Sequence, residues 1–182
     1  MENRDNIRKI FKRTIINSYM LYIKKQIIAY ILFGCLFAGF PNQINDIEGN
    51  SINLEELASQ KTVAVITMKS PDCPVCQNQI LRIIDNFDKL SACNVTFIVI
   101  APGPIEKLQE TKMLTKFPFP FIVDNELEIA LSLDLIMNET QILPSILILN
   151  DKLEVEWAQR GRNAMYFGDP ELMKRLKCEG WI

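Results

Sequence analysis

Histidine is absent from all 182 residues, and that removes several kinds of chemistry at once. No imidazole is available as a general base, and a structural zinc site, usually built from Cys or His, loses one of its two usual ligands. The cysteines number five, an odd count with no regular spacing, which does not fit a scaffold stapled by disulfides. Neither sign of charge dominates, the net charge being −2. Beneath that balance, residues 1–25 carry seven Lys or Arg against Glu2 and Asp5, while residues 41–182 carry thirteen against twenty acids. An acidic main body argues against a nucleic-acid surface. Internal repeats and low-complexity tracts are also missing. What remains, 48% hydrophobic and 23% charged, is the composition of a globular chain long enough for one well-packed domain with an extension.

The chemistry concentrates in Ser70-Pro71-Asp72-Cys73-Pro74-Val75-Cys76. Before it, Thr62 to Met68 is a short apolar run rich in β-branched residues, the pattern of a buried strand. After it, Ile80, Ile83, Ile84, Phe87 and Leu90 recur at the spacing of an amphipathic helix. Ser70 or Asp72 is placed to cap that helix, and Pro74 suits its first turn because a missing N–H costs nothing there. Both thiols then lie at a helix N-terminus, where orphan N–H groups and the helix dipole favour thiolate. A strand delivering C-x-x-C to a helix start reads as a redox pair. Two alternatives fit less well. A zinc ribbon is half missing, since Thr96 stands where a second C-x-x-C from Cys93 would end. Two inert buried cysteines sit poorly among proline-rich, polar flanks.

In chain order, Arg4, Arg8, Lys9, Lys12 and Arg13 precede an apolar stretch that Lys24-Lys25 interrupts, and Ile27 to Phe40 is an uncharged run of fourteen residues. That is short of the ~20 a spanning helix needs and nearer to a signal-peptide core. Leu32-Phe33-Gly34-Cys35 partly resembles a lipoprotein cleavage box. Residues 1–40 are thus expected to be a basic head with a hydrophobic, signal- or anchor-like helix, the alternative being a helix packed on the domain. Residues 41–182 form the domain. It opens on a hairpin turning at Glu48-Gly49-Asn50 and a helical turn at Leu54 to Leu57. After the C-x-x-C helix come a strand over 94–100, a helix opened by Pro104, and a short strand at 119–124 held near an edge by Pro120. A helix follows over 126–135 with Leu127, Ala130, Leu131 and Leu133 inward, then a hairpin over 145–157 and a last helix from Asp169-Pro170 to about Cys178. Strands alternating with helices predict an α/β architecture: a central mixed sheet with helices on both faces.

That order resembles the thioredoxin-like fold, and more narrowly the redoxin branch, the AhpC/TSA or peroxiredoxin-like family. Three stretches carry the resemblance: Asp46-Ile47-Glu48-Gly49 with Leu54 and Leu57, the Ser70 to Cys76 segment, and Phe117-Pro118-Phe119-Pro120-Phe121-Ile122-Val123-Asp124. It implies that Pro144 is a cis-proline beside the thiols and that Leu143 and Pro144 offer a substrate edge. Two departures stand out. Ser70 lies three before Cys73, as the peroxiredoxin pattern asks, but Ile66 stands in the proline place. In the other register, with Cys76 aligned, Cys73 takes the threonine place and Lys69 the proline place. The peroxidase arginine is also missing from its expected position, where Leu143-Pro144-Ser145 stands, leaving Arg160 or Arg162 to substitute in space.

The leading expectation is a thiol–disulfide oxidoreductase in which Cys73 attacks and Cys76 resolves. Ser70, Lys69 and Pro74 support them, and Lys69 together with the helix N-terminus stabilises the thiolate. The second reading is a peroxiredoxin-like thiol peroxidase reducing hydroperoxides, and the third a non-catalytic interaction module. No cofactor and no metal is called for. The partners expected are a protein disulfide or a small peroxide, plus an external thiol or redoxin electron donor, with no nucleic acid. Residues 15–40 suggest membrane association and an extracytoplasmic, periplasmic domain, the alternative being cytoplasmic. Cys93, Cys178, Trp157 and Trp181 are expected to pack, and Phe117, Phe119 and Phe121 to fill the core or rim the thiols.

Overall fold

The computed structural model describes residues 40–162 and 169–176. The expected head at 1–40, Cys178 and Trp181 lie outside these, apart from Phe40. Among the described residues no helix is long and apolar enough to cross a membrane.

The first hairpin forms where Glu48-Gly49-Asn50 placed it, with β1 (Gln43–Asn45) antiparallel to β2 (Ser51–Asn53). The Asp46 carboxylate accepts the N–H groups of Glu48 and Asn50 at 2.9 and 2.8 Å, and Gly49 takes a φ of +87°. Such a left-handed residue is cheap only as glycine. Next come α1 (Leu54–Gln60), capped by Asn53, then β3 (Thr62–Thr67), α2 (Pro74–Asp85) and α3 (Phe87–Ser91). They are followed by β4 (Val95–Ala101), α4 (Ile105–Thr115), β5 (Phe121–Val123) and α5 (Glu128–Ser132). A small hairpin of β6 (Ile136–Asn138) and β7 (Gln141–Ile142) leads to β8 (Ser145–Leu149), β9 (Val155–Arg160) and α6 (Asp169–Leu176).

The five-stranded sheet runs β5-β4-β3-β8-β9. β4 lies parallel to β3 and β5, and β8 is antiparallel to β3 and β9. Because side chains alternate along a strand, one face carries Ala64, Ile66, Phe97, Val99, Ile146 and Ile148. These pack on Cys76, Ile80 and Ile83 of α2, Leu108 of α4 and Leu172 of α6. The other face carries Val63, Val65, Ile98, Ile100, Leu147 and Leu149 against Leu54, Leu127, Ala130 and Ile142. Helices therefore cover both faces, as expected. The register places Thr67 opposite Ser145, and Ser145 opposite Arg160. Three strand ends thus meet where the chain leaves β3 for the thiol helix.

Four details depart from expectation. The helix after Cys76 breaks at Asn86, whose side chain donates to the Arg82 carbonyl at 2.9 Å. A short amide side chain competes with the helix ladder in this way. The helix expected over 126–135 shrinks to α5, because Leu127 is left-handed (φ 56°) and the buried Asp124 carboxylate takes the Ile129 and Ala130 N–H groups. Leu131 consequently points outward, 62% exposed. Finally, β6 and β7 form a hairpin in a stretch to which the sequence pattern assigns no element.

Candidate active site

The turn from β3 into α2 is short, and Cys73 closes it by donating its N–H to the Ser70 carbonyl at 3.2 Å. Pro74 occupies the first turn of α2, as expected. The cap itself differs. Cys73 is the N-cap residue, and its sulfur accepts the Cys76 N–H at 3.4 Å. Neither Ser70 nor Asp72 plays that part, because the Ser70 hydroxyl donates to the Asp72 carboxylate at 2.7 Å. The sulfur at the entrance of the helix therefore does what an oxygen usually does there. An anionic sulfur does it better than a neutral one.

Cys73 is half-buried and Cys76 fully buried, with their Sγ atoms 2.8 Å apart and both thiols free. The Cys76 S–H donates to the Cys73 sulfur, and this bond is the main reason that the Cys73 thiol is pulled down to about 6. Partial burial works against it, while the N–H groups of Cys76 and Val75 and the charge of Arg162 add to it. The same bond, with burial, pushes the Cys76 thiol up, opposed by the Lys69 N–H at 3.5 Å and again by Arg162. At pH 7 Cys73 is then thiolate over thiol by about ten to one. Cys76 keeps its proton.

Lys69 contributes through its backbone N–H to Cys76, not as the thiolate-stabilising cation expected of it. The cation at the site is Arg162, whose guanidinium donates to the carbonyl of Thr67. It arrives there because β9 ends at Arg160 beside the start of β8. Gly161 donates its N–H to the Pro144 carbonyl at 2.7 Å with a φ of +77°, and the chain turns in. Arg160 goes elsewhere, pairing with Asp134 at 3.2 Å. Of the two arginines that could substitute, the structure brings only Arg162 to the thiols.

Because Cys73 has a lowered thiol, its reactivity is lost only as pH falls through about 6 and is level above. Iodoacetamide alkylation of the reduced protein across a pH series should show that midpoint for Cys73. A midpoint near the ~8.5 of a free thiol would contradict the described hydrogen bonding.

Residues 38–158 match the AhpC/TSA family. This chain belongs to that family. As such it is a thiol-dependent oxidoreductase. No curated protein matches it. Among solved structures it resembles the peroxidoxin BcpB of Mycobacterium tuberculosis, with a TM-score of 0.67 at 13% identity over 75% of this chain and 92% of that one. Peroxiredoxin Q of Xanthomonas campestris gives 0.64 at 16% identity over 75% and 90%. The bacterioferritin comigratory protein of the same organism, whose structure concerns alkyl peroxide reduction, gives 0.63 at 15% over 74% and 89%. These likenesses establish a thioredoxin-like α/β fold.

Against the AhpC/TSA pattern, three expectations need correction. The Leu143–Pro144 bond is trans; the cis bond among the described residues joins Gly103 to Pro104. Nor is the backbone at 143–144 a vacant edge. The Leu143 N–H donates to Leu135, its carbonyl accepts the hydroxyls of Thr67 and Ser145, and the Pro144 carbonyl accepts from Gly161. The missed β6–β7 hairpin and the end of β9 have consumed those groups. Cys93, expected as a core thiol, is disulfide-bonded in the half-buried turn before β4. Phe117 and Phe121 fill the core, with half-buried Phe119 packed edge-on to Phe117 and tilted against Phe87 at 5.1 and 5.8 Å, and Trp157 packs on the same cluster.

Proposed function

We propose that this protein is a thiol peroxidase that reduces hydroperoxides through Cys73 and resolves through Cys76. The observation that carries the reading is Arg162: its fixed positive charge acts on a thiol already held as thiolate at a helix N-terminus. Attack on a peroxide builds negative charge on the departing oxygen, and prearranged donors and cations stabilise such charge best. The peroxide chemistry named for the Xanthomonas relative points the same way.

The Cys73 thiolate attacks one peroxide oxygen, the O–O bond breaks, and the departing oxygen takes a proton to leave as water or alcohol. Cys73 is left as sulfenic acid. With the thiolate gone, Cys76 loses the acceptor that held its proton, while the Lys69 N–H and Arg162 remain to favour its anion. Its sulfur then displaces hydroxide from Cys73, the hydroxide leaving as water, and the disulfide forms. An external dithiol supplies the two electrons that restore both thiols. The order of events is thus built into the pair: the resolving thiol is released by the oxidation it has to resolve.

The 73–76 spacing also favours a second reading, exchange with a substrate disulfide. It is weakened by the backbone at Leu143 and Pro144, whose N–H and carbonyl groups already have partners within the domain. The extracytoplasmic placement that the basic head suggests is part of this proposal.

Mixing the reduced protein with one equivalent of hydrogen peroxide or an organic hydroperoxide, without any donor, tests the proposal. The peroxide should disappear within the mixing experiment, with Cys73 and Cys76 both becoming unreactive to alkylation. Persistence of peroxide beside rapid reduction of a small disulfide would favour exchange instead.

A further inference from the structure

The carbonyl of Pro71 is held from outside the thiol turn. The hydroxyl of Thr111, on α4, donates to it at 2.8 Å, and the side-chain amide of Gln77, on α2, donates at 2.9 Å. The same amide also reaches the Thr111 oxygen, at 3.4 Å. Turn, thiol helix and α4 are thereby closed into a triangle of hydrogen bonds forty residues apart in sequence.

We propose that Thr111 is a positioning residue of the thiol site, holding through the Pro71 carbonyl the turn that presents Cys73. Thr111 is 3% exposed, so its bond to Pro71 is made away from water. A buried carbonyl deprived of a donor is costly, and the turn has reason to keep this one. The hydroxyl also lies 3.1 Å from the Lys107 carbonyl, the back-bond open to any threonine one turn along a helix. Having one proton, it serves the nearer Pro71 oxygen. α4 is a firm support, since Leu108 is fully buried in the core and Thr115 bonds back to the Thr111 carbonyl at 2.9 Å.

The consequence falls on Cys73, two residues beyond Pro71. Its sulfur meets donors that all belong to α2: the N–H groups of Val75 and Cys76 and the Cys76 thiol. Within the turn, the other bonds are local, from Ser70 to Asp72 and from Cys73 to Ser70. Only the Pro71 carbonyl ties the turn to a second helix among the bonds described. Without Thr111 the turn hangs on Gln77, the Lys69 N–H bond to the Cys76 sulfur and its own short bonds, and the Cys73 sulfur shifts relative to its donors.

The test replaces the hydroxyl without touching the sulfurs. In the reduced full-length protein, Thr111→Val keeps the branched shape and Thr111→Ser keeps the donor. The ultraviolet thiolate absorbance of each is followed against pH, with iodoacetamide alkylation at pH 6 and the melting temperature beside it. Thr111→Val should raise the Cys73 midpoint by about half a pH unit and slow alkylation at pH 6 about twofold, and Thr111→Ser should restore both. Thr111→Ala is the second variant if valine packs badly, with the same shift expected. A Thr111→Val or Thr111→Ala protein that melts lower but keeps the parent midpoint would make Thr111 merely structural and overturn the proposal. So would Thr111→Ser behaving like Thr111→Val. Since thiolate is read directly, the result stands whether or not peroxide is the substrate.

Discussion

Cys73→Ser is expected to leave no measurable peroxide consumption, while Cys76→Ser consumes one equivalent quickly and, without turning over, a second only slowly. The two substitutions look alike chemically, yet they remove different steps. A serine hydroxyl at position 73 stays protonated, so no nucleophile remains. The loss is not one of folding: Cys73 is the N-cap of α2, and serine is among the best residues for that place. At position 76 the substitution leaves Cys73, its helix N–H donors and Arg162 in place, and the new hydroxyl can donate to the Cys73 sulfur. The first oxidation therefore survives. What is missing is the neighbour 2.8 Å away that would capture the sulfenic acid. With excess peroxide Cys73 should climb to sulfinic acid, visible by intact mass as two added oxygens, whereas the parent protein stops at the disulfide. Offered a small disulfide instead, Cys76→Ser should retain a mixed disulfide through Cys73. Consumption that survives loss of Cys73 and dies with Cys76 would reverse the roles and install the other register, with Cys76 as the peroxide-reactive thiol.

The scaffold of this site was legible because two periodicities change over at one place. Thr62 to Met68 alternates into both cores, and Ile80 and Ile83 follow at helical spacing, so strand, turn and helix around Cys73 and Cys76 came from local patterns alone. The electrostatics were not legible, because they are made by chain segments brought together in space. Ser70 and Asp72, equally good caps on paper, satisfy each other, and the sulfur caps the helix in their stead. Lys69 has the right charge and sequence position, but the turn uses its N–H. Arg162 follows an edge strand, and nothing local says that β9 ends beside β8 or that Gly161 turns toward Pro144. Leu143 and Pro144 failed as an edge for the same reason in reverse. The β6–β7 hairpin is too short and too exposed, with Ile136 41% and Met137 50% accessible, to leave a pattern, yet it claims the Leu143 N–H by way of Leu135.

Arg162→Met should lower the second-order rate with hydrogen peroxide by roughly a hundred-fold, the size of effect seen when one fixed donor at a developing oxyanion is removed. Two contributions make up that loss, and they separate by pH. Arg162 helps hold the Cys73 thiol down, so its removal raises the midpoint above about 6, and at neutral pH part of the thiolate is lost. That part returns when the pH is raised. The other part, stabilisation of charge on the departing oxygen, does not return, because it concerns the transition state and not the thiolate. Iodoacetamide expels iodide rather than an alkoxide and asks little of such a donor. Alkylation of Arg162→Met should therefore recover at high pH while the peroxide rate stays low. Arg162→Lys keeps a charge but loses the planar fork with which one nitrogen grips the Thr67 carbonyl, and should fall between. Arg160→Met is the control, since Arg160 is engaged with Asp134 and the Leu133 carbonyl, and it should react like the parent. Gly161→Ala adds a second line of evidence. A Cβ there meets no atom within 4 Å, so any effect comes from the strained φ of +77° and the displacement of the arginine that follows. It should shift the rate in the same direction as Arg162→Met, and Gly161→Asn, which tolerates that conformation, should shift it less. Peroxide rates for Arg162→Met within about threefold of the parent at every pH would remove the arginine from the reaction, and with it the observation on which the peroxidase assignment rests.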